Sequence, residues 1–180
     1  MNIIMNNEHN EPNEPVRKNH GALFPNHVST LAATDPKLIE TFDNFAFDEV
    51  LCESALETCD RLMLQLAALI ACQVQRGYRV MLGATLNVGV TSIKAKEIAC
   101  QVVPYVGMAK AFDFLHITNE VLTERGVELP LPGQSTITPD DRMQKGKTVQ
   151  GKIIDEAQVD RLYATAPQDQ QHIQRILSAN

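Results

Sequence analysis

The four cysteines, at positions 52, 59, 72 and 100, offer the most reactive side chains in this 180-residue sequence. No two of them form a C-x-x-C pair. Cys72 closes an apolar run and is a candidate catalytic thiol, provided that Arg76 or Arg79 stabilises its thiolate. The alternative is a small buried side chain, which is the usual role of a free cysteine. Cys100 could meet Cys72 as a non-local dithiol, or it could simply be packed.

A second set of candidate catalytic residues surrounds His116. This histidine follows Asp113 by three residues and precedes Glu120 by four. On a helix that spacing puts all three side chains on one face, where a base and its orienting carboxylates would lie. The alternative is an exposed histidine beside ordinary helix-face ion pairs. The other four histidines have no partner that the sequence reveals.

Two charged residues near the apolar run are also candidates for a functional site. Glu97 lies three residues after Lys94, so it is either half of an exposed ion pair or a carboxylate that lines a pocket. Arg61 stands at the start of the run, where a buried arginine would be costly unless paired. We therefore expect Arg61 either to face solvent or to bind an anion, such as the carboxylate of a ligand.

These residues surround the most apolar stretch of the chain, which predicts three helices joined by tight turns. Residues 62–72 are apolar at nearly every position, as in a buried core helix. The S-x-x-E pattern at 54–57 predicts the start of this helix, and Gly77 predicts its end. A second helical pattern then stops near Gly89, which suits a left-handed cap, and Thr91 can cap the third helix.

The rest of the chain also shows helical spacing and no alternating strand pattern, so the predicted fold class is all-α. Asp35 followed by Pro36 is a strong helix start, and that helix is expected to reach about Leu51. Its expected buried stripe contains Leu38, Ile39, Phe42, Phe45, Ala46 and Val50. A further long helix is expected at 105–125.

Composition divides the chain into three parts. Residues 1–22, which begin with an asparagine-rich segment, are expected to form a flexible N-terminal arm. Residues 23–128 form the predicted helical domain. Residues 129–180 begin with a linker that contains proline and glycine and continue as a helical extension. This extension has too few apolar residues to form a core alone.

Charge and hydropathy exclude several classes of function. The formal net charge is −6 and no dense basic patch is present, which disfavours nucleic-acid binding. No apolar run approaches the roughly 18 residues needed to span a bilayer. No cysteines or histidines are paired at the short spacing of a structural metal site, so we predict neither a metal nor a cofactor. The first residues lack the basic segment and apolar core of a signal peptide, which favours a cytoplasmic location.

Four segments carry a resemblance to a known family. They read LAALIA at 66–71, ATLNVGVT at 84–91, KEI at 96–98 and QVVPYVG at 101–107. Over about residues 35–125 the chain resembles the carboxymuconolactone decarboxylase family, which shares its fold with the alkylhydroperoxidase D proteins. The resemblance implies an alkylhydroperoxidase D-like helical bundle that assembles as a homo-oligomer, commonly a trimer or hexamer.

The tail carries a further resemblance. Residues 129–136, LPLPGQST, and the helices after them are similar to the connector between the repeats of two-domain members. The chain therefore looks like a first repeat followed by that connector.

The resemblance implies two kinds of catalysis and, as a third possibility, a non-catalytic repeat. Decarboxylases of the family use a histidine one helical turn before the LN-x-G turn and an acid at the start of the central helix. Those positions hold Met81 and Leu62 here, and neither side chain can move a proton. The alkylhydroperoxidase branch uses a C-x-x-C pair, in which one thiolate attacks peroxide and the other resolves the product. That pair is missing as well.

We therefore carry three hypotheses. The first is a weak thiol peroxidase (peroxiredoxin-like, antioxidant) that uses Cys72, with Cys100 as a second thiol. The second is a non-catalytic structural repeat. The third is a lactone decarboxylase with a non-standard site for a small-molecule substrate. Glu97 and Arg61 lie in the region where the family builds its site, and Arg61 is the predicted ligand-binding residue.

Overall fold

The computed structural model describes residues 13–25 and 27–179, and all regular structure in these residues is helical. This confirms the predicted all-α class. The chain divides into two compact units, residues 1–130 and 131–180. In the first unit the helices are α1 Glu14–Leu23, α2 Pro36–Asn44, α3 Val50–Glu53, α4 Thr58–Ala71, α5 Gln75–Asn87, α6 Ser92–Gln101, α7 Val103–Val106 and α8 Met108–Glu124. In the second they are α9 Arg142–Ile153, α10 Glu156–Thr165 and α11 Gln171–Ala179.

The core of the first unit lies between α4, α5, α6 and α8. Helix α4 contributes Leu62, Leu66 and Ile70, whose four-residue spacing places them on one face. Leu66 and Ile70 share one buried cluster with Phe114 of α8, whereas Leu62 belongs to a second cluster with two side chains of α1. Leu64, on the other side of α4, is 59% exposed. The expectation that α4 is buried on nearly every face is therefore wrong, because only one stripe of the helix meets its neighbours.

Both predicted ends of the central helix are also wrong. The helix begins at Thr58, and the Ser54 hydroxyl accepts a hydrogen bond from the Leu56 N–H in the turn before it. It ends at Ala71, and Gly77 lies in the first turn of α5. A Cβ atom at Gly77 would lie 3.0 Å from a Val74 methyl. A larger residue at this position would have to displace the Val74 side chain slightly, so the glycine permits close packing inside α5 and does not stop a helix.

Other predicted helix signals are confirmed. Pro36 occupies the first turn of α2, and the Thr91 hydroxyl accepts a hydrogen bond from the Lys94 N–H at the start of α6. Gly89 has φ +97°, the left-handed conformation that glycine adopts without strain. The helix expected at 105–125 is interrupted at Gly107 and runs as α8.

The predicted N-terminal arm is partly a helix. Within α1, Val16 and Leu23 are buried against the side chains of Phe47 and Leu62. The amide of Asn19 donates a 2.7 Å hydrogen bond to the Phe47 carbonyl. The prediction of a flexible arm is therefore wrong for residues 14–22, because two apolar side chains seven residues apart fasten this segment to the core. Residues 1–12 lie outside the described part of the chain.

The helix that starts at Pro36 continues through a π-helical turn, Phe45–Glu49, into α3. This turn adds a residue to the helical repeat and rotates the following side chains. Phe47, inside the turn, is buried, whereas Phe42 before it and Phe45 at its start are each 55% exposed. The predicted buried stripe of this helix is therefore only partly correct, and Leu38 is exposed as well.

The second unit is a small group of three helices. Val159 is the buried apolar side chain among its described residues. The Tyr163 hydroxyl donates a 2.9 Å hydrogen bond to the Gln174 carbonyl, which joins α10 to α11. Lys147 forms an ion pair with Asp160 at 2.5 Å. Within the described residues of the whole chain, every helix is too short or too polar to cross a bilayer.

Candidate functional site

A pocket of about 830 Å³ opens in the first unit. Its walls come from α1 and the loop after it, from α2 and the π-helical turn, and from the facing parts of α4 and α5. Most of its lining is apolar and includes Val16, Leu23, Phe24, Ile39, Phe42, Ala46, Phe47, Leu51, Leu62, Val80 and Met81. A concave site with mostly apolar walls and a few polar groups is typical of small-molecule binding.

The charged side chains of this pocket are mainly cationic. Arg17 comes from α1, Arg61 from α4 and Arg76 from α5, whereas Asp43 is the one carboxylate among the described residues of the lining. The pocket therefore has the opposite sign of charge to the chain as a whole, whose formal net charge is −6. A cationic cleft with apolar walls raises the local concentration of anions and favours their binding.

Arg61 is the best placed of these arginines to anchor a ligand. It is half-buried in the first turn of α4, directly before the buried Leu62. Within residues 13–25 and 27–179, no side chain or carbonyl forms a hydrogen bond or ion pair with its guanidinium. By contrast, Arg79 on α5 is held by Glu120 and Glu124 of α8. A half-buried guanidinium without a protein acceptor can bind a carboxylate through two parallel hydrogen bonds.

One wall of the pocket is aromatic. The Phe47 ring lies nearly perpendicular to the rings of His20, Phe24 and Phe42, at centroid distances of 4.9, 6.2 and 6.3 Å. His27 extends this group, with its ring 6.0 Å from His20. Edge-to-face contacts of this kind are favoured because the positive edge of one ring meets the negative face of the next.

The two positions that the resemblance aligns with the acid and histidine of the family's decarboxylases both lie in the pocket wall. Leu62 is almost fully buried, and Met81 is half-buried beside it. Neither side chain can transfer a proton. The ionisable groups of the pocket come from other positions, and two of them are the imidazoles of His20 and His27.

The predicted catalytic cysteines lie outside the pocket lining. Cys72 is exposed at the C-terminal end of α4, so the alternative of a buried side chain does not hold for it. Cys100 is half-buried on α6, and burial raises the pKa of its thiol, an effect that nearby Lys96 opposes. All four cysteines are free thiols in the structure. Cys72 and Cys100 are therefore not joined as a disulfide.

The carboxylates that were expected to orient His116 have other partners. Asp113 accepts a 2.7 Å hydrogen bond from the Gln75 side chain, and Glu120 pairs with Arg79 at 2.8 Å. His116 itself is exposed and lies against the Phe112 ring, 4.5 Å between centroids. This geometry supports the interpretation of an exposed histidine.

Glu97 is half-buried on α6, and its carboxylate accepts a 3.3 Å hydrogen bond from the Gln101 side chain. It does not belong to the pocket lining. Within the described residues, no three histidine, cysteine, aspartate or glutamate side chains come close enough to bind a metal ion. Among the predicted site residues, Arg61 is thus the one that the structure places in the pocket.

Sequence reasoning missed the residues that α1 and its loop contribute to the site, above all His20 and Phe24. The sequence pattern predicts that these residues lie in the flexible arm or at its border, because asparagines dominate the segment before them. Two signals could have revealed the helix. Pro15 stands in its first turn, where proline is favoured, and Val16 and Leu23 are two turns apart.

The described residues form an all-helical protein with a largely apolar, arginine-bearing pocket beside the helix that precedes the LN-x-G turn. Residues 36–120 match the model of the carboxymuconolactone decarboxylase family. This match confirms the resemblance noted in the sequence for that part of the chain. Searches of curated proteins and of solved structures returned no significant match.

Proposed function

We propose that the first unit binds a small organic carboxylate in this pocket and that Arg61 is its anchor. The observation that carries the proposal is the half-buried Arg61, whose guanidinium has no acceptor among the described residues. The described lining of the pocket contains three arginines and one carboxylate. The pocket volume, about 830 Å³, lies within the range of roughly 300–1,000 Å³ typical of ligand sites.

The family name supports the same class of ligand, because a carboxymuconolactone is a lactone that carries a carboxyl group. We place any decarboxylase-type reaction of this chain in the same pocket. Leu62 and Met81 remove the two ionisable groups of the family's usual chemistry, which favours a binding role or a non-standard site. Both the non-catalytic repeat and the non-standard decarboxylase therefore stay within this proposal.

Replacing Arg61→Gln should weaken carboxylate binding about tenfold, because one charge-assisted hydrogen-bonded pair is lost from a half-exposed site. Titration calorimetry with decahydro-2-naphthoate, and with its neutral carboxamide as a ligand control, measures the effect. The matched protein control is Arg79→Gln, which removes a neighbouring arginine that pairs with α8 and lies outside the pocket. Equal affinities of the wild type for acid and amide, unchanged in Arg61→Gln, would contradict the proposal.

A second candidate function is the thiol peroxidase. It is supported by the exposed thiol of Cys72, which peroxide can reach from solvent. Cys100 is less suited to the attack, because its raised pKa leaves less thiolate at neutral pH than an ordinary cysteine has.

The assay measures how fast the protein consumes peroxide when a thiol reductant is supplied. If the second proposal is correct, Cys72→Ser lowers this rate to the rate without protein. Cys52→Ser is the matched control, because Cys52 is also exposed and its pKa is raised by a hydrogen bond to Asp48. Because the pKa of Cys100 is raised, any part of the rate that depends on its thiolate should increase as the pH rises above the usual pKa of a cysteine. Equal rates in wild type and Cys72→Ser would exclude Cys72 as the reactive thiol.

The trimeric or hexameric assembly implied by the resemblance stays a prediction. It is supported by large apolar side chains at the surface of the first unit, among them Leu64 on α4 and Tyr105 on α7. The cytoplasmic location and the likeness to a first repeat of a two-domain protein also stay predictions.

A further inference from the structure

We infer that the ligand of the pocket is an aromatic carboxylate, whose ring packs against the wall formed by His20, Phe24, Phe42 and Phe47. This inference rests on the proposed function, since it assumes that the pocket binds a carboxylate. It adds the chemical nature of the group that the carboxylate is attached to.

The first argument is the concentration of rings. The chain contains six phenylalanines and no tryptophan, and three of the six, Phe24, Phe42 and Phe47, line this one pocket. His20 completes the group, 5.4 Å from Phe24 and 4.9 Å from Phe47. Leucine or isoleucine could form the same apolar boundary, so an aromatic wall indicates a ligand that benefits from ring contacts.

The second argument is ring orientation. Phe47 is nearly buried and stands at 81–87° to the rings of Phe24, His20 and Phe42. The aromatic ring of a ligand can make further edge-to-face contacts with these rings, and such contacts are favourable because of the ring quadrupoles. A saturated ring of the same size buries similar apolar area but has no quadrupole to add.

The third argument is the division of the pocket into two sides. Its ring-bearing wall comes from α1, α2 and the π-helical turn, which also carry Arg17 and Asp43, whereas Arg61 and Arg76 come from α4 and α5. A planar aromatic acid has the same division, with an apolar ring at one end and an anion at the other. Arginine also suits such a ligand, because its flat guanidinium binds carboxylates in two-point geometry and stacks on aromatic faces.

The aromatic wall is also held in place before any ligand binds. Asn19 on α1 donates a hydrogen bond to the Phe47 carbonyl at 2.7 Å, and Asn87 at the end of α5 donates one to the Leu23 carbonyl at 3.0 Å. These two contacts fasten both halves of α1 against the rest of the unit. A wall that needs little ordering on binding loses less of its interaction free energy to entropy.

The test compares 2-naphthoate with its saturated analogue, decahydro-2-naphthoate, by titration calorimetry on the full chain. We expect 2-naphthoate to bind about tenfold more tightly, since two or more new ring contacts add to the same area burial. Replacing Phe42→Leu should reduce that ratio to about threefold or less, because it removes one of the rings. Phe45→Leu is the matched control, since Phe45 is as exposed as Phe42, at 55%, and does not line the pocket.

The outcomes separate the two proposals. If both acids bind with equal affinity and both lose affinity in Arg61→Gln, the aromatic inference is overturned and the carboxylate site stands. If neither acid shows binding that depends on Arg61, the proposed function itself fails. If the preference for 2-naphthoate is reduced by Phe42→Leu and unchanged by Phe45→Leu, both the carboxylate site and the aromatic inference are supported. If the Phe42→Leu variant does not fold, the ratio of the wild type's affinities for 2-naphthoate and decahydro-2-naphthoate still decides the inference.

Discussion

Replacing Phe114→Ala should lower the free energy of unfolding by about 3–5 kcal/mol, the range for removing a large aromatic side chain from a packed core. Phe114 has no exposed surface, and its ring meets the Tyr78 ring edge-to-face at 5.1 Å between centroids. It lies in the cluster where α4, α5, α6 and α8 meet. The substitution therefore leaves a cavity between the helices that carry Arg61 and Arg76, and their backbone has little room to close it.

Phe112→Ala is the matched control, because Phe112 lies two residues earlier on the same helix and is 50% exposed. We expect it to cost less than about 1 kcal/mol, since surface substitutions rarely cost more. Urea denaturation followed by circular dichroism gives both values, with an unchanged dependence on urea concentration as the check that unfolding stays two-state. Similar losses in the two variants would mean that α8 does not present Phe114 to the core.

The helices that form this core could be predicted because their signals are local. Thr91 and Gly89 act within a single turn of chain, and a hydroxyl cap or a left-handed glycine has the same effect wherever it occurs. The four-residue spacing of buried side chains on α4 is local as well. Such signals indicate which segments are helical, but they do not indicate which helix faces become walls of a pocket.

The pocket could not be predicted because its walls are joined by contacts between distant parts of the chain. The hydrogen bond from Asn19 to the Phe47 carbonyl spans 28 residues, and the one from Asn87 to the Leu23 carbonyl spans 64. Asparagine in a terminal segment is typical of disorder, and its hydrogen-bond partners are visible only once the chain has folded. For this reason the ring-bearing wall was absent from the predicted site.

Arg61 could be recognised from sequence because a charge at the start of an apolar helix has few acceptable environments. Cys72 was harder to interpret. The helix end was expected at Gly77, which would have placed Cys72 inside the helix, whereas α4 ends at Ala71 and leaves Cys72 exposed. An error of six residues in one helix end was enough to change the expected accessibility of a candidate catalytic thiol.

Thr118→Val should lower the free energy of unfolding by about 2–3 kcal/mol, because it leaves a buried hydroxyl without an acceptor. The Tyr78 and Thr118 hydroxyl oxygens lie 2.7 Å apart, and both residues are fully buried. Thr118 donates its one proton to the Phe114 carbonyl, also at 2.7 Å. Tyr78 must therefore be the donor to Thr118. Valine keeps the shape of threonine but removes the oxygen that the Tyr78 hydroxyl needs.

Tyr78→Phe should cost less, about 1 kcal/mol, because Thr118 keeps its hydrogen bond to the Phe114 carbonyl. The double variant should then cost less than the sum of the two single variants, since neither partner is left unpaired. Urea denaturation of the four proteins gives this coupling free energy. A double variant that costs the full sum would contradict a direct hydrogen bond between the two hydroxyls.

The same pair makes stability depend on pH. Burial raises the pKa of the Tyr78 hydroxyl above its usual value of about 10. The folded state therefore holds this proton more tightly than the unfolded state. The contribution of this group to the free energy of unfolding is complete at pH values below its pKa in the unfolded state. It is lost as the pH rises through its pKa in the folded state. In alkaline urea titrations the wild type should thus lose stability more steeply than Tyr78→Phe, whereas parallel losses would show that Tyr78 ionises as freely as an exposed tyrosine.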